Sequence, residues 1–179
     1  MKKSILFAAV ASLALAACGG ATDAPADDIA AASSSIVADL GGQPAGPVYT
    51  AEPGETLALS GYDAVSYFQG DGVPVEGSED HVVVYQGYDY RFASEENAKE
   101  FAGDPAKFAP AYGGYCAWAI GAKDALAPGD PNVYEIVDGK LYLNFNEEVK
   151  SNWAPEKEKF IEQGDVNYPQ HDASEHYKA

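Results

Sequence analysis

Two stretches of the chain alternate in the rhythm of β-strands. In HVVVYQGYDYRF, residues 81 to 85 and 88 to 92 are rich in Val, Tyr and Phe, and Gln86-Gly87 can turn between them, which predicts a β-hairpin. NVYEIVDGKLYLNF carries a stronger signal, because Asp138-Gly139 is the dipeptide that a type I′ turn favours. On its second strand Leu141, Leu143 and Phe145 are expected on one face, and Lys140, Tyr142 and Asn144 on the other.

The helical period appears directly after each hairpin. In SEENAKEFAGDP, Ser94 can cap the helix, Glu95 and Glu96 complement its dipole, and Ala98, Phe101 and Ala102 share a face. Gly103 is expected to stop it, and Pro105 to open a short turn that carries Phe108 inward before Pro110 ends it. NEEVKSNWAPEKEKFIEQG reads as helix, broken or restarted at Pro155, with Trp153, Phe160 and Ile161 packing on the sheet. Hairpins and helices come in blocks and not as β-α-β units. The expected fold class is therefore α+β, a small antiparallel sheet of β-hairpins with short packed helices. No internal repeat is evident.

The N-terminus follows another pattern. Lys2 and Lys3 precede a short apolar run from Ile5 to Ala17, too short to span a bilayer comfortably, and small residues lead to a cleavage point. Leu15-Ala16-Ala17-Cys18 resembles the bacterial lipobox, which implies acylation of Cys18 and a lipid (palmitate) anchor in the membrane. By the same resemblance, Gly19 in place of an aspartate favours the outer membrane, with the protein facing the periplasm. Past Cys18 the chain is rich in Ala, Asp, Ser, Gly and Pro, so residues 18 to 55 read as a flexible tether, with an ordered arm around Ile36 to Leu40 as the alternative.

Charge narrows the partners. The chain has 11 Lys and Arg against 28 Asp and Glu, a net charge of -17. Cleavage before Cys18 would remove two lysines and no acid. Such a surface repels nucleic-acid phosphates and anionic lipid and suits a protein of the cell envelope. The acids are scattered, and none form a calcium loop. There is no GxSxG, HExxH or P-loop, and no catalytic residue is assigned.

Three blocks carry a family resemblance: GYDAVSYF (61–68), YRFASEENAKEFAGDPAKFAPAYGGYCAWA (90–119) and GKLYLNF (139–145). Together they resemble the YHS domain family, in its bacterial secreted and lipoprotein branch, over roughly residues 57 to 169. The resemblance implies a small hairpin-plus-helix module that binds metal. The family pattern Tyr-x-Phe-Cys-Ser-x-x-Cys-x-x-x-Phe falls on Tyr90, Phe92, Ala93, Ser94, Asn97 and Phe101, so both cysteine ligands are replaced. The expected organisation is a lipoprotein signal peptide (1–17), a tether (18–55), a YHS-like domain (56–170) and a polar tail (171–179).

Candidate chemistry centres on YGGYCAWA. Cys116 is framed by Gly113, Gly114, Tyr115 and Trp118, and no cysteine but Cys18 is available to pair with it. Three readings stand. Cys116 is a small buried hydrophobe; or a soft ligand for a copper or zinc ion, joined by Asp63 beside Tyr62 or by His81; or a redox-active thiol. The last gains from the resemblance, since members of this branch can carry selenocysteine. His171 and His176 fall in the polar tail, expected to be mobile. The strand tyrosines Tyr85, Tyr88, Tyr90, Tyr134 and Tyr142 read as sheet residues, with a carbohydrate-binding platform as the alternative. The expected function is an envelope-anchored, non-catalytic binding module whose partner is a transition-metal ion or an envelope protein. The alternatives are a thiol-redox protein and a structural or interaction domain.

Overall fold

The structure is a computed structural model and describes residues 36–178. Cys18, the signal peptide and the first part of the tether lie outside the described residues. The class is α+β. Strand β1 (Ile36–Asp39) runs parallel to β2 (Ser78–Tyr85), which pairs antiparallel with β3 (Tyr88–Phe92); β4 (Asp130–Val137) and β5 (Lys140–Asn144) form a separate hairpin. The first sheet is thus mixed, because the N-terminal arm adds a strand to its edge. Both hairpin turns carry two consecutive left-handed residues, Gln86-Gly87 and Asp138-Gly139, as a type I′ turn requires.

The helices are α1 (Glu95–Gly103), α2 (Pro105–Phe108), α3 (Ala117–Lys123), α4 (Glu147–Trp153) and α5 (Lys157–Asn167). Ser94 caps α1 by accepting from Asn97 N at 3.2 Å, and Asn146 caps α4 by accepting from Val149 N at 2.8 Å. Pro155 restarts the chain into α5 through a 3-10 turn, Ala154–Glu156.

Two apolar clusters lie on either side of β5. One gathers Val83, Tyr90, Phe92, Phe101 and Phe108 with Leu141 and Leu143; the other gathers Tyr115, Ile120, Trp153 and Phe160 with Tyr142. Both faces of β5 are therefore covered, and Tyr142 and Asn144 are buried on one face as Leu141 and Leu143 are on the other. Phe145 lies past the strand end and is exposed.

The architecture also contains an internal repeat that the sequence hides. Each half opens with a left-handed turn, Leu59-Ser60-Gly61 in one and Tyr112-Gly113-Gly114 in the other. Each continues as Gly-Tyr-x-Ala, then a helical turn, a hairpin and a capped helix. Asp63 N donates to Val75 O at 2.8 Å, and Cys116 N donates to Ala127 O at 2.9 Å. Tyr62 bridges to Glu76 as Tyr115 bridges to Pro128. Gly77 packs on Arg91 and Gly129 on Leu143, each too close for a side chain. Asp63 and Cys116 thus occupy the same place in the two halves.

Two boundaries differ from expectation. The chain is ordered into the fold from Ile36, well inside the expected tether: Tyr49 N donates to Gly113 O at 2.9 Å, and Val48 and Thr50 are buried. The expected mobile tail is docked. His176 Nε2 meets Thr50 O at 2.9 Å, Tyr177 packs on Tyr49 with centroids 6.0 Å apart, and His171 lies 3.3 Å from both Asp124 and Glu175. Composition signalled mobility, but a few aromatic and imidazole contacts suffice to tie each segment down.

Candidate functional site

The segment around Cys116 folds as its glycines dictate. Gly113 has φ +59°, and a Cβ there would lie 2.8 Å from the Tyr168 hydroxyl and 2.9 Å from Val48 Cα. Only glycine fits that approach. Gly114, with φ +87°, completes the turn, and Tyr115 then packs edge-on against Tyr49 at 5.6 Å. Burial pushes the Tyr115 phenol up to about 12.

Cys116 stands at the position before α3, makes no side-chain cap to it, and is 1% exposed. Its Sγ lies 3.7 Å from Asn144 Oδ1, which also accepts from Trp118 N at 3.3 Å. Burial pushes the thiol up, and the nearby backbone N–H groups of Ala119, Phe145 and Trp118 act in the opposite direction. The Trp118 indole is half-buried under Lys123, whose Nζ is 5.3 Å from the ring centroid.

Asp63 does not join Cys116. Its carboxylate is fully buried and takes four donors: Val65 N at 2.8 Å, Ser66 N at 3.3 Å, Ala93 N at 3.0 Å and Asn97 Nδ2 at 2.6 Å. Ala93 and Asn97 are the positions where the resemblance expects the two cysteines. The carboxylate therefore fills the space between them. Tyr62 stands beside it and accepts from Asn132 Nδ2 at 3.3 Å. His81 lies on β2, half-buried. Among the described residues no three His, Cys, Asp or Glu side chains converge, so Cys116, Asp63 and His81 are not brought together as a metal ligand set.

A different site comes from residues that sequence reasoning assigned to the sheet. A cleft of about 350 Å³ opens where the N-terminal arm, α2, β5 and the end of α5 meet. It is lined by Tyr85, Tyr90, Tyr112, Tyr142 and Tyr168, with Lys140 and Asp165 among its charged groups. The Tyr112 ring stands 5.7 Å from Tyr142 and 5.5 Å from Tyr168. Tyr112 donates to Ile161 O or to Asp165 Oδ1, at 3.0 and 3.1 Å, and Tyr168 donates to Pro47 O at 2.9 Å. Tyr90 and Tyr142, 3% and 4% exposed, turn into the protein and form part of the cleft wall. Burial, with Asp165 and Asp138 behind it, pushes Tyr142 up to about 12. A larger depression of about 800 Å³ between the ends of α3 and α5 is shallow and has no aromatic wall. The signal for the cleft was present in Tyr112-Gly113, which lines it, but its other walls are far apart in sequence.

No protein-family model matches this chain, and no curated protein or solved structure matches it.

Proposed function

We propose that this chain is a lipid-anchored, non-catalytic binding module of the bacterial cell envelope, built on a YHS-like plan, that takes a small ligand in its tyrosine cleft. The carrying observation is the concavity itself, walled by Tyr85, Tyr90, Tyr112, Tyr142 and Tyr168 with Lys140 and Asp165 among its charged groups. Aromatic walls with a few polar groups are the usual lining of small-molecule sites. Cys116 has no comparable access, and a metal bound there would find no histidine or second thiolate among the groups described around its sulfur. The lipobox-like Leu15-Ala16-Ala17-Cys18 supports the anchor, and Gly19 supports the outer membrane. The acidic balance argues against nucleic acid.

The test has two arms on the full chain. Metabolic labelling with palmitate should mark the wild type and spare Cys18→Ser; an unlabelled wild type would remove the anchor. Amide NMR spectra should be recorded while titrating the low-mass fraction of a bacterial envelope extract. Shifts centred on Gly113, Tyr142 and Asp165 support the cleft, and a spectrum unchanged there rejects it.

A further inference from the structure

The C-terminal tail carries two histidines, and both stand among acceptors. His176 Nε2 lies 2.9 Å from Thr50 O, and its Nδ1 lies 3.1 Å from Tyr177 O. A carbonyl oxygen can only accept. A neutral imidazole has one N–H and one bare lone pair, so one of these two contacts would set lone pair against lone pair. The imidazolium has two N–H groups and satisfies both. His171 repeats the arrangement with charged partners. Its Nδ1 lies 3.3 Å from Glu175 Oε2, and its Nε2 lies 3.3 Å from Asp124 Oδ1, the second an ion pair without hydrogen-bond direction. Its side chain is 15% exposed, so water screens these charges only in part.

The groups around each ring suit a positive charge. His171 faces Asp124 from the end of α3 and Glu175 from the tail, with Asp172 next to it in the chain. Glu175 is held below the usual carboxylate range by the Asp172 N–H and by His171. The nearby cation, Lys123, lies over the Trp118 ring. His176 meets the rings of Tyr49 and Tyr177, with centroids 6.4 and 4.9 Å away, and shares a cavity of about 240 Å³ with Glu55, Tyr88 and Glu175. Lys178 follows it by two residues. Among the described residues, the side-chain polar contacts from the tail to the rest of the chain run through the two imidazoles, to Asp124 and to Thr50 O. Tyr177 adds its packing on Tyr49.

We propose that residues 171–178 form a proton-operated strap, fastened across the N-terminal arm and the end of α3 while His171 and His176 are protonated, and released to uncover the Tyr49 ring when those protons leave. The fastened tail holds more protons than the free tail. Its docking is therefore intact in mild acid and is lost as pH rises. Each proton taken up on docking changes the ratio of fastened to free tail by up to about tenfold per pH unit. The change begins near about pH 6.5, where a free imidazole gives up its proton. The strap stands whether or not the tyrosine cleft takes a ligand.

The test uses the full chain labelled with 15N and compared at about pH 5.5 and about pH 8.5. Heteronuclear NOEs of residues 171–178 read the mobility of the tail, imidazole 15N shifts read the protons, and the amides of β5 and α5 report the rest of the fold. The tail should be as rigid as α5 in acid and as mobile as a free terminus in base, with loss of the His176 proton at the same midpoint. The amides of β5 and α5 should stay in place. In the double variant His171→Gln, His176→Gln the tail should be mobile at both pH values. A wild-type tail equally rigid at both values overturns the proposal, as does one equally mobile, or a neutral His176 in a rigid tail. A double variant that keeps a rigid tail at either pH also overturns it. The wild-type titration decides alone should that variant fail to fold.

Discussion

Asp63 shows most directly how one residue holds this fold. A carboxylate with no solvent contact is tolerated because four donors reach it from three places: its own turn, the end of β3 and the first turn of α1. It ties hairpin to helix at the point where the family resemblance places two cysteines. The substitution Asp63→Ala would strand these donors in the interior. The expected loss is about 3–4 kcal/mol, read as a lower urea midpoint at unchanged slope. A loss below about 1 kcal/mol would mean that water replaces the carboxylate. Nothing in the sequence assigned this role: Asp63 was legible as a candidate ligand because of its chemistry, while its partners lie on other elements. The equivalence with Cys116 was written in Gly61-Tyr62-Asp63-Ala64 and Gly114-Tyr115-Cys116-Ala117, but so short a repeat gains meaning only when the matching backbone bonds of both residues are seen.

At the scale of elements, local chemistry was readable and long-range coverage was not. Both hairpin turns, the Ser94 cap and Pro105 at the start of α2 lie where their residues place them, because each is decided within a few positions. Helix α3 was not foreseen. Its seven residues, AWAIGAK, are too short for a clear period, and they are helical because α5 packs against them so closely that Gly121 must lack a side chain against Phe160. The same reason explains β5. Alternation reports one buried face, but this strand separates two cores, so Tyr142 turns inward and becomes a cleft wall. The cleft needs β5, α2, the end of α5 and the N-terminal arm together. A tether that was only a tether would leave it open on one side. The docking of residues 46 to 50 against Gly113 and Tyr168 therefore belongs to the site as much as to the fold.

Across the whole molecule, the tyrosines make stability depend on pH at the alkaline end. Tyr115 and Tyr142 are pushed from 10.0 up to about 12, mainly by burial, and Tyr67, Tyr90, Tyr112 and Tyr168 are pushed further in the same direction. In the unfolded chain these phenols lose their protons near 10.0. Between that value and about 12 the folded chain holds more protons than the unfolded one. Stability must then fall as pH rises, because the proton-poor unfolded state is favoured by every proton removed from solution. The contribution is intact below pH 10.0 and disappears as pH climbs through the folded values. The expected denaturation profile is therefore flat on approaching pH 10 and falls steeply above it, with the phenolate absorbance of the buried tyrosines appearing together with unfolding. Tyr142→Phe should soften the fall, because it removes one phenol that burial holds up to about 12, and should leave stability at neutral pH nearly unchanged. If Tyr142 instead ionises near pH 10 while the chain stays folded, the cleft is wetter than its walls imply. The proposed ligand would then meet a phenolate-ready surface in place of a dry aromatic one. Urea midpoints measured from pH 8 to 12, alongside tyrosinate absorbance on the same samples, distinguish the two.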